Sequence, residues 1–454
     1  AVPTWWDRCN RWLQVAGALA VLLFALWQFS DSLHKSTFHP DESRWINRAV
    51  YLEQLQHPLG SFWSDSYLIR GQPPMGSYIT GLGLLIQGQP LDSNGPWNFV
   101  YGNDGDINWN VTNGNVPQVD VLLDARKTSI FLGLVLVLTT YVIVTMLSNW
   151  IGGVVAGVFL GVHPLTIYLA TLAVSDMAFT TVIALSGFCA LMLARRPSWW
   201  WTIALGILMG MGASLKLSPI FLAIGMAAVG IAILLEPIAR RIPGLRWLSA
   251  HLGLGDAKVQ RMGLLLLALP VIAGGFFLAS YPYLWSDPIG RTEVLFDFRR
   301  DEMANQSRIW GDQAINSRID ALDRTWNMLE VRYSASGRVF DRLGIDVGQV
   351  DIQDGFDMPL LLAGLLIFVA LALWKGFRTP HLLTLIVLSG QVMIILAGIN
   401  INFNRYYLPI LLYLAIGLGI GAGTAIDGLG WLVSRIRVRR SPGTGPLLAV
   451  ENQG

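Results

Sequence analysis

The chain has 454 residues, of which 53% are hydrophobic and only 14% charged. A water-soluble domain could not carry that much apolar surface without exposing it, so the fold class expected is an all-α polytopic membrane protein. A formal net charge of +2 is too small to suggest a nucleic-acid binder; of the two cysteines, Cys9 lies before the first apolar span and Cys189 inside a later one, so no disulfide between them is expected, and neither has companions for a metal site.

In chain order, the first apolar run is "VAGALAVLLFALWQF" (15–29), with polar flanks and no small-residue cleavage signal behind it. It is expected to be a retained span rather than a removed leader. With roughly 20 apolar residues taken as one crossing, the chain offers about ten helices, at 11–29, 128–147, 151–170, 177–194, 200–215, 218–235, 262–281, 358–374, 381–399 and 406–426. The short, glycine-rich "GSYITGLGLLIQG" (76–88) is expected to lie along the interface, within a helix over 72–88. A second interfacial helix is expected over 41–55, where Trp45, Ile46, Ala49, Val50 and Leu52 recur at helical spacing. The chain thus divides into a tail and first span (1–29), an external segment (30–127), spans two to seven (128–281), a second external segment (282–357), spans eight to ten (358–426) and a basic tail (427–454).

Charge asymmetry sets the orientation. With the N-terminus cytoplasmic, "ARRPSW", "EPIARRIPGLRW", "WKGFRTPH" and the tail "SRIRVRR" all fall inside, rich in Lys and Arg. Counting 76–88 as a full span would move every later basic cluster outside. Both termini are therefore expected in the cytoplasm, with the protein in the plasma (inner) membrane. The middles of 30–127 and 282–357 read as polar filler of the external space, and the sequons at Asn110 and Asn305 as chance patterns.

Ionisable residues at the edges of apolar helices are costly unless they face a partner or a cavity. Asp41 and Glu42 in "FHPDE", Asp176 in "TLAVSDMAF", Lys216 in "GASLKLSPIF", Tyr281 in "SYPYLW" and Arg405 in "FNRYYLP" all come out at the external boundary. Each has a plain structural reading: snorkelling for Lys216 and Arg405, helix capping for Asp41, Glu42 and Asp176, interfacial anchoring for Tyr281 and Tyr283, and a turn before proline for His163. Together on one face they suit chemistry instead. A carboxylate pair can abstract a hydroxyl proton or hold a divalent metal, and Lys and Arg can hold a leaving phosphate. The set describes transfer of a group from a lipid-linked phosphate to a hydroxyl.

The order "FHPDE", "GQPPMGSYITGL", "DARKTSIFLGLVLVL", "HPLTIYLATLAVSDMAF", "GMGASLKLSPIFLAI", "FNRYYLPILLYLAIGLG" resembles the glycosyltransferase C superfamily, in particular protein O-mannosyltransferases and lipid A aminoarabinose transferases. The resemblance implies a glycosyltransferase that inverts the anomeric centre of a polyprenyl-phosphate-linked sugar donor on the outer face, with a lipid, glycan or protein as acceptor. By the same resemblance Asp41 is the general base, Glu42 its partner and Asp176 the second acidic position, while Lys216 and Arg405 lie by the lipid phosphate. Gln72, Tyr281 and Tyr406 are the further substrate-binding candidates. The chain has Gln72 where relatives commonly carry Lys, Arg or His before the Pro-Pro turn, and zinc-binding relatives carry an acidic ligand near it. No cofactor is expected with certainty; a divalent metal stays open. A non-catalytic subunit that retains the fold within a larger complex is the rival reading. A transporter would require paired broken helices at the midplane, and these are not found in the sequence.

Overall fold

The computed structural model describes residues 5–92, 99–100, 107–343 and 356–440. The centre of the first polar segment, part of the second and the last residues of the basic tail lie outside these. Helix dominates, and among the described residues the only β pairing is a lone antiparallel bridge between Ala314 and Ile401.

Among the described residues seven helices are long and apolar enough to cross a membrane, beginning with α1 (Trp5–Leu33). An eighth crossing is possible for the pair Trp150–Val162 and Pro164–Ala170, which meet at 65°. The break has a local cause: Pro164 cannot continue the ladder, and His163 caps the second helix, its Nδ1 accepting from the Leu165 amide. Trp199–Ala213 and Ser218–Leu234 coincide with two further expected spans but are shorter apolar helices of 15 and 17 residues.

The apolar helices pack through small residues, which let backbones approach where lipid supplies no hydrophobic drive. A Cβ on Gly419 would sit 2.6 Å from the Gly152 carbonyl oxygen, and one on Gly364 would sit 2.5 Å from the Leu418 Cα. Neither position admits a side chain.

The polar segments are built rather than draped. A helical run over 40–54 begins with α2 (Pro40–Asn47), and α3 (Met75–Ile86) packs against it. Gly76 makes this contact, since any Cβ there would collide with the Trp45 ring and with Ser175. The second segment holds the 22-residue helix Pro288–Ile309, so its reading as filler is corrected: helical spacing was hidden beneath alternating charge.

Segment 30–127 is clamped to the bundle by one buried ion pair. Arg126 Nε and one terminal amine each donate at 2.8 Å to the two oxygens of Glu42. The remaining donors reach the carbonyls of Leu33, Ser36 and Thr37, so the whole guanidinium fork is used. Glu42 also accepts from the amides of His39 and Ala173, and the two side chains are 0% and 3% exposed. Replacing Arg126 by Met should strand the Glu42 carboxylate and cost roughly 3 to 5 kcal/mol. Denaturant unfolding in detergent checks this, and a double Glu42→Gln, Arg126→Met variant should recover part of the loss.

Candidate functional site

Four helix ends converge on one cavity of about 750 Å³. Asp41 is the second residue of α2, whose N-cap His39 accepts from the Asp41 amide while Glu42 bonds back to the His39 amide. This reciprocal capping fixes the backbone that presents the Asp41 carboxylate. Asp176 occupies the first turn of the helix Ser175–Arg195, where the helix dipole favours a negative charge. Lys216 follows the end of Trp199–Ala213, its amide bonded to the Gly212 carbonyl. Arg405 sits in the short 3-10 turn Asn404–Tyr406 ahead of the last helix.

These residues meet as two ion pairs, Arg405 with Asp41 and Lys216 with Asp176. Tyr406 lies between the cations: the Lys216 Nζ is 4.9 Å from its ring centre and the Arg405 guanidinium carbon 5.7 Å. Phe179 and Phe403 complete the cage, at 5.1 Å from Lys216 and 5.1 Å from Arg405 respectively. An aromatic cage of this kind stabilises positive charge without neutralising it, so the cations can still receive an anion. Burial alone would raise the Asp41 carboxyl; Arg405, aided by His39 and Arg44, outweighs it and holds it down to about 2. Burial by itself would lower the Arg405 guanidinium, but Asp41 and Tyr406 raise it above its ordinary value.

The cavity lining is mixed: Phe221, Leu217, Ile394, Ile395 and Pro409 are among its apolar residues, and Gln72, Arg44, Arg48, Arg299 and Glu302 among its polar ones. The Gln72 turn is held by the Met75 amide, which donates to the Ser214 carbonyl at 3.0 Å.

Of the candidates from the sequence, Asp41, Asp176, Lys216, Arg405, Gln72 and Tyr406 line this one space. Glu42 and Tyr281 do not. Glu42 points the other way, into the Arg126 clamp, because successive helical residues project about 100° apart. Tyr281 and Tyr283 are wholly buried rather than interfacial anchors, and the Tyr281 hydroxyl donates to the Ile69 carbonyl. His163 is likewise buried as a cap. Sequence reasoning missed Arg126, Arg44, Arg48 and the helix carrying Arg299 and Glu302. For the last of these, helical spacing within 298–310 was the available signal.

The residues present do not suit a divalent metal. Asp41 and Asp176 each face a cation instead of one another, Glu42 is committed to Arg126, and with Glu302 also on the lining no group of three or more His, Cys, Asp or Glu residues is gathered among the described residues.

Comparison with known proteins gives a family match and a fold. The profile of the dolichyl-phosphate-mannose-protein mannosyltransferase family matches residues 64–279, just under half of the chain, a stretch that holds Gln72, Asp176 and Lys216 but neither Asp41 nor Arg405. No curated protein is significantly similar in sequence. The archaeal oligosaccharyltransferase AglB from Archaeoglobus fulgidus, solved with an inhibitory peptide and a dolichol-phosphate, superposes with a TM-score of 0.51 at 11% identity, covering 97% of this chain and 53% of that one. ArnT from Cupriavidus metallidurans bound to undecaprenyl phosphate gives 0.44 at 15% identity, over 93% and 63% of the two chains. The S. cerevisiae protein O-mannosyltransferase Pmt1-Pmt2 complex bound to the sugar donor gives 0.41 at 15%, over 62% and 34%. The chain resembles the archaeal enzyme in fold and spans about half of its length.

Because the folded-state value of Asp41 is depressed, its pairing adds stability above the ordinary carboxylate range, and that contribution is lost as pH falls toward about 2. Arg405→Gln removes the main opposing charge, so burial should then dominate and the Asp41 titration should move up past its ordinary range. Carbodiimide labelling of Asp41 against pH, read by mass spectrometry, checks the shift: labelling should begin at higher pH in the variant.

Proposed function

We propose that this protein is a membrane glycosyltransferase that moves a sugar from a polyprenyl-phosphate carrier to a hydroxyl acceptor at the outer face of the plasma membrane, both termini being cytoplasmic. The observation that carries this reading is the pairing of Lys216 and Arg405 with two carboxylates in one cavity that also has apolar lining residues. The cations provide a seat for a phosphate, the apolar residues a place for the first isoprene units, and Asp41 a base within reach of both. The family match over 64–279 and the bound dolichol-phosphate of the archaeal enzyme agree with a donor of this class.

In the resting state Asp41 is a weak base, since Arg405 stabilises its charge. A donor phosphate that takes up Arg405 withdraws this stabilisation, and the carboxylate becomes basic when the substrate arrives. The acceptor hydroxyl then gives its proton to an Asp41 oxygen as its own oxygen attacks the anomeric carbon. The bond from that carbon to the phosphate oxygen breaks, and the polyprenyl phosphate leaves with the electron pair. A single displacement inverts the centre. Lys216 and Arg405 hold the charge that grows on the leaving oxygen, and Asp176 keeps Lys216 in place until the phosphate enters. Glu42 supports Asp41 only through the cap and the Arg126 clamp.

Asp41→Asn should reduce sugar transfer by a factor of about 10² to 10⁴ while undecaprenyl phosphate is still bound. Arg405→Ala should weaken binding as well as transfer, with roughly 2 to 4 kcal/mol of transition-state stabilisation lost. Transfer from radiolabelled polyprenyl-phosphate sugars in reconstituted membranes measures both. Wild-type turnover in Asp41→Asn would pass the role of base to Asp176.

A further inference from the structure

The helix α4 (Pro288–Ile309) buries Leu295 but brings a polar row to the cavity, beside Phe298 and Met303, which line it as well. An amphipathic helix buries apolar residues and leaves charge in water. Here Arg299, Glu302 and Gln306 recur at helical spacing along the cavity side, and all three are partly buried. Its outer side carries Asp297, Arg300, Asp301 and Arg308, all exposed. Polar groups drawn from water into a cavity need replacement hydrogen bonds, and those found within the chain are few: Arg299 donates to the Gly71 carbonyl at 2.9 Å, and the Gln306 amide lies 3.4 Å from Glu302.

We propose that this face of α4 is the acceptor subsite, and that the acceptor is a carbohydrate. The inference rests on the glycosyltransferase reading and extends it to the acceptor's chemistry. A carboxylate, an amide and a guanidinium in one row offer acceptors and donors together, with the carboxylate offsetting the guanidinium. That mixture suits vicinal hydroxyls, each of which both donates and accepts; an anionic headgroup would call for donors alone. Trp310 stands at the end of the row, 40% exposed, with its ring set edge-on to Phe403 at 5.7 Å. It offers a flat apolar face of the kind on which a sugar ring stacks. At the other end Phe298 is held by Tyr67 and Arg70, each 5.5 Å away. The helix belongs to the second polar segment, so the subsite lies on the water side of the phosphate cations.

A peptide acceptor fits less well. One way to hold an extended peptide is to pair it with an open backbone edge, and the extended stretch beside the cavity is already engaged. The Ile315 amide and the Ser307 hydroxyl both donate to the Asn400 carbonyl, and the Asn402 amide donates to the Gln313 carbonyl.

Saturation-transfer NMR on the full chain in lipid nanodiscs containing undecaprenyl phosphate tests the assignment. The probes are methyl α-mannoside, methyl β-glucoside, their disaccharides and a Ser/Thr-containing heptapeptide. Saturation should reach ring protons of at least one saccharide and spare the peptide. Glu302→Ala and Gln306→Ala should each weaken saccharide binding roughly tenfold, the size of one hydrogen bond involving a charged or well-placed polar group. Undecaprenyl phosphate binding, measured separately, reports an intact cavity in each variant. Saturation of the peptide alone, or saccharide signals unchanged in both variants, would overturn the carbohydrate assignment and leave the glycosyltransferase reading standing. Failure of the wild-type chain to bind undecaprenyl phosphate would overturn both.

Discussion

Charge near a membrane has to be neutralised where it stands, and the architecture around the cavity follows from that requirement. Lys216 and Arg405 lie where long cationic side chains could have reached out to water. Each instead faces a carboxylate, and both flank the Tyr406 ring. A buried ion pair contributes little to stability, because desolvation offsets most of the attraction. Under the proposed function its value lies in storing cations inside a cavity until a phosphate comes to replace the carboxylates.

Bringing such pairs together needs helix ends rather than helix middles. Asp41 and Asp176 occupy first turns, where the dipole already favours negative charge, and the two cations sit in the turns after other helices. The arrangement also explains why two adjacent acidic residues behave differently. Glu42 closes the capping box and enters the Arg126 clamp, fixing segment 30–127 to the bundle. Asp41, one residue earlier and turned by helical geometry, is left to meet Arg405.

Much of this was legible before any coordinates. Apolar runs located the long helices because the bilayer sets a length, and the shorter helices at 199–213 and 218–234 were legible for the same reason. The grouping of Asp41, Asp176, Lys216 and Arg405, which line one cavity, was expected from loop charge. Facing direction was not legible, as Glu42 and Tyr281 show: a motif places residues on a helix, while packing decides which of them see the cavity. Arg126 was hidden for a related reason. It reads as the flank of a span, and only the folding of segment 30–127 turns it into the partner of Glu42. The inner face of α4 was masked by alternating charge, a pattern that serves a solvated helix equally well.

Under the proposed reaction, the resting pairs act on both sides of the chemical step. Donor binding must break the Arg405–Asp41 contact, which lowers apparent affinity by the stability of that contact. In return the carboxylate becomes basic only when a phosphate is present to receive the charge of bond cleavage, so water in the empty cavity meets a weak base. After transfer, Asp41 carries the acceptor's proton and the polyprenyl phosphate holds both cations. Loss of that proton restores the carboxylate, which then competes with the phosphate for Arg405. The contact that weakens donor binding therefore favours product release, and one ion pair links the start of the cycle to its end.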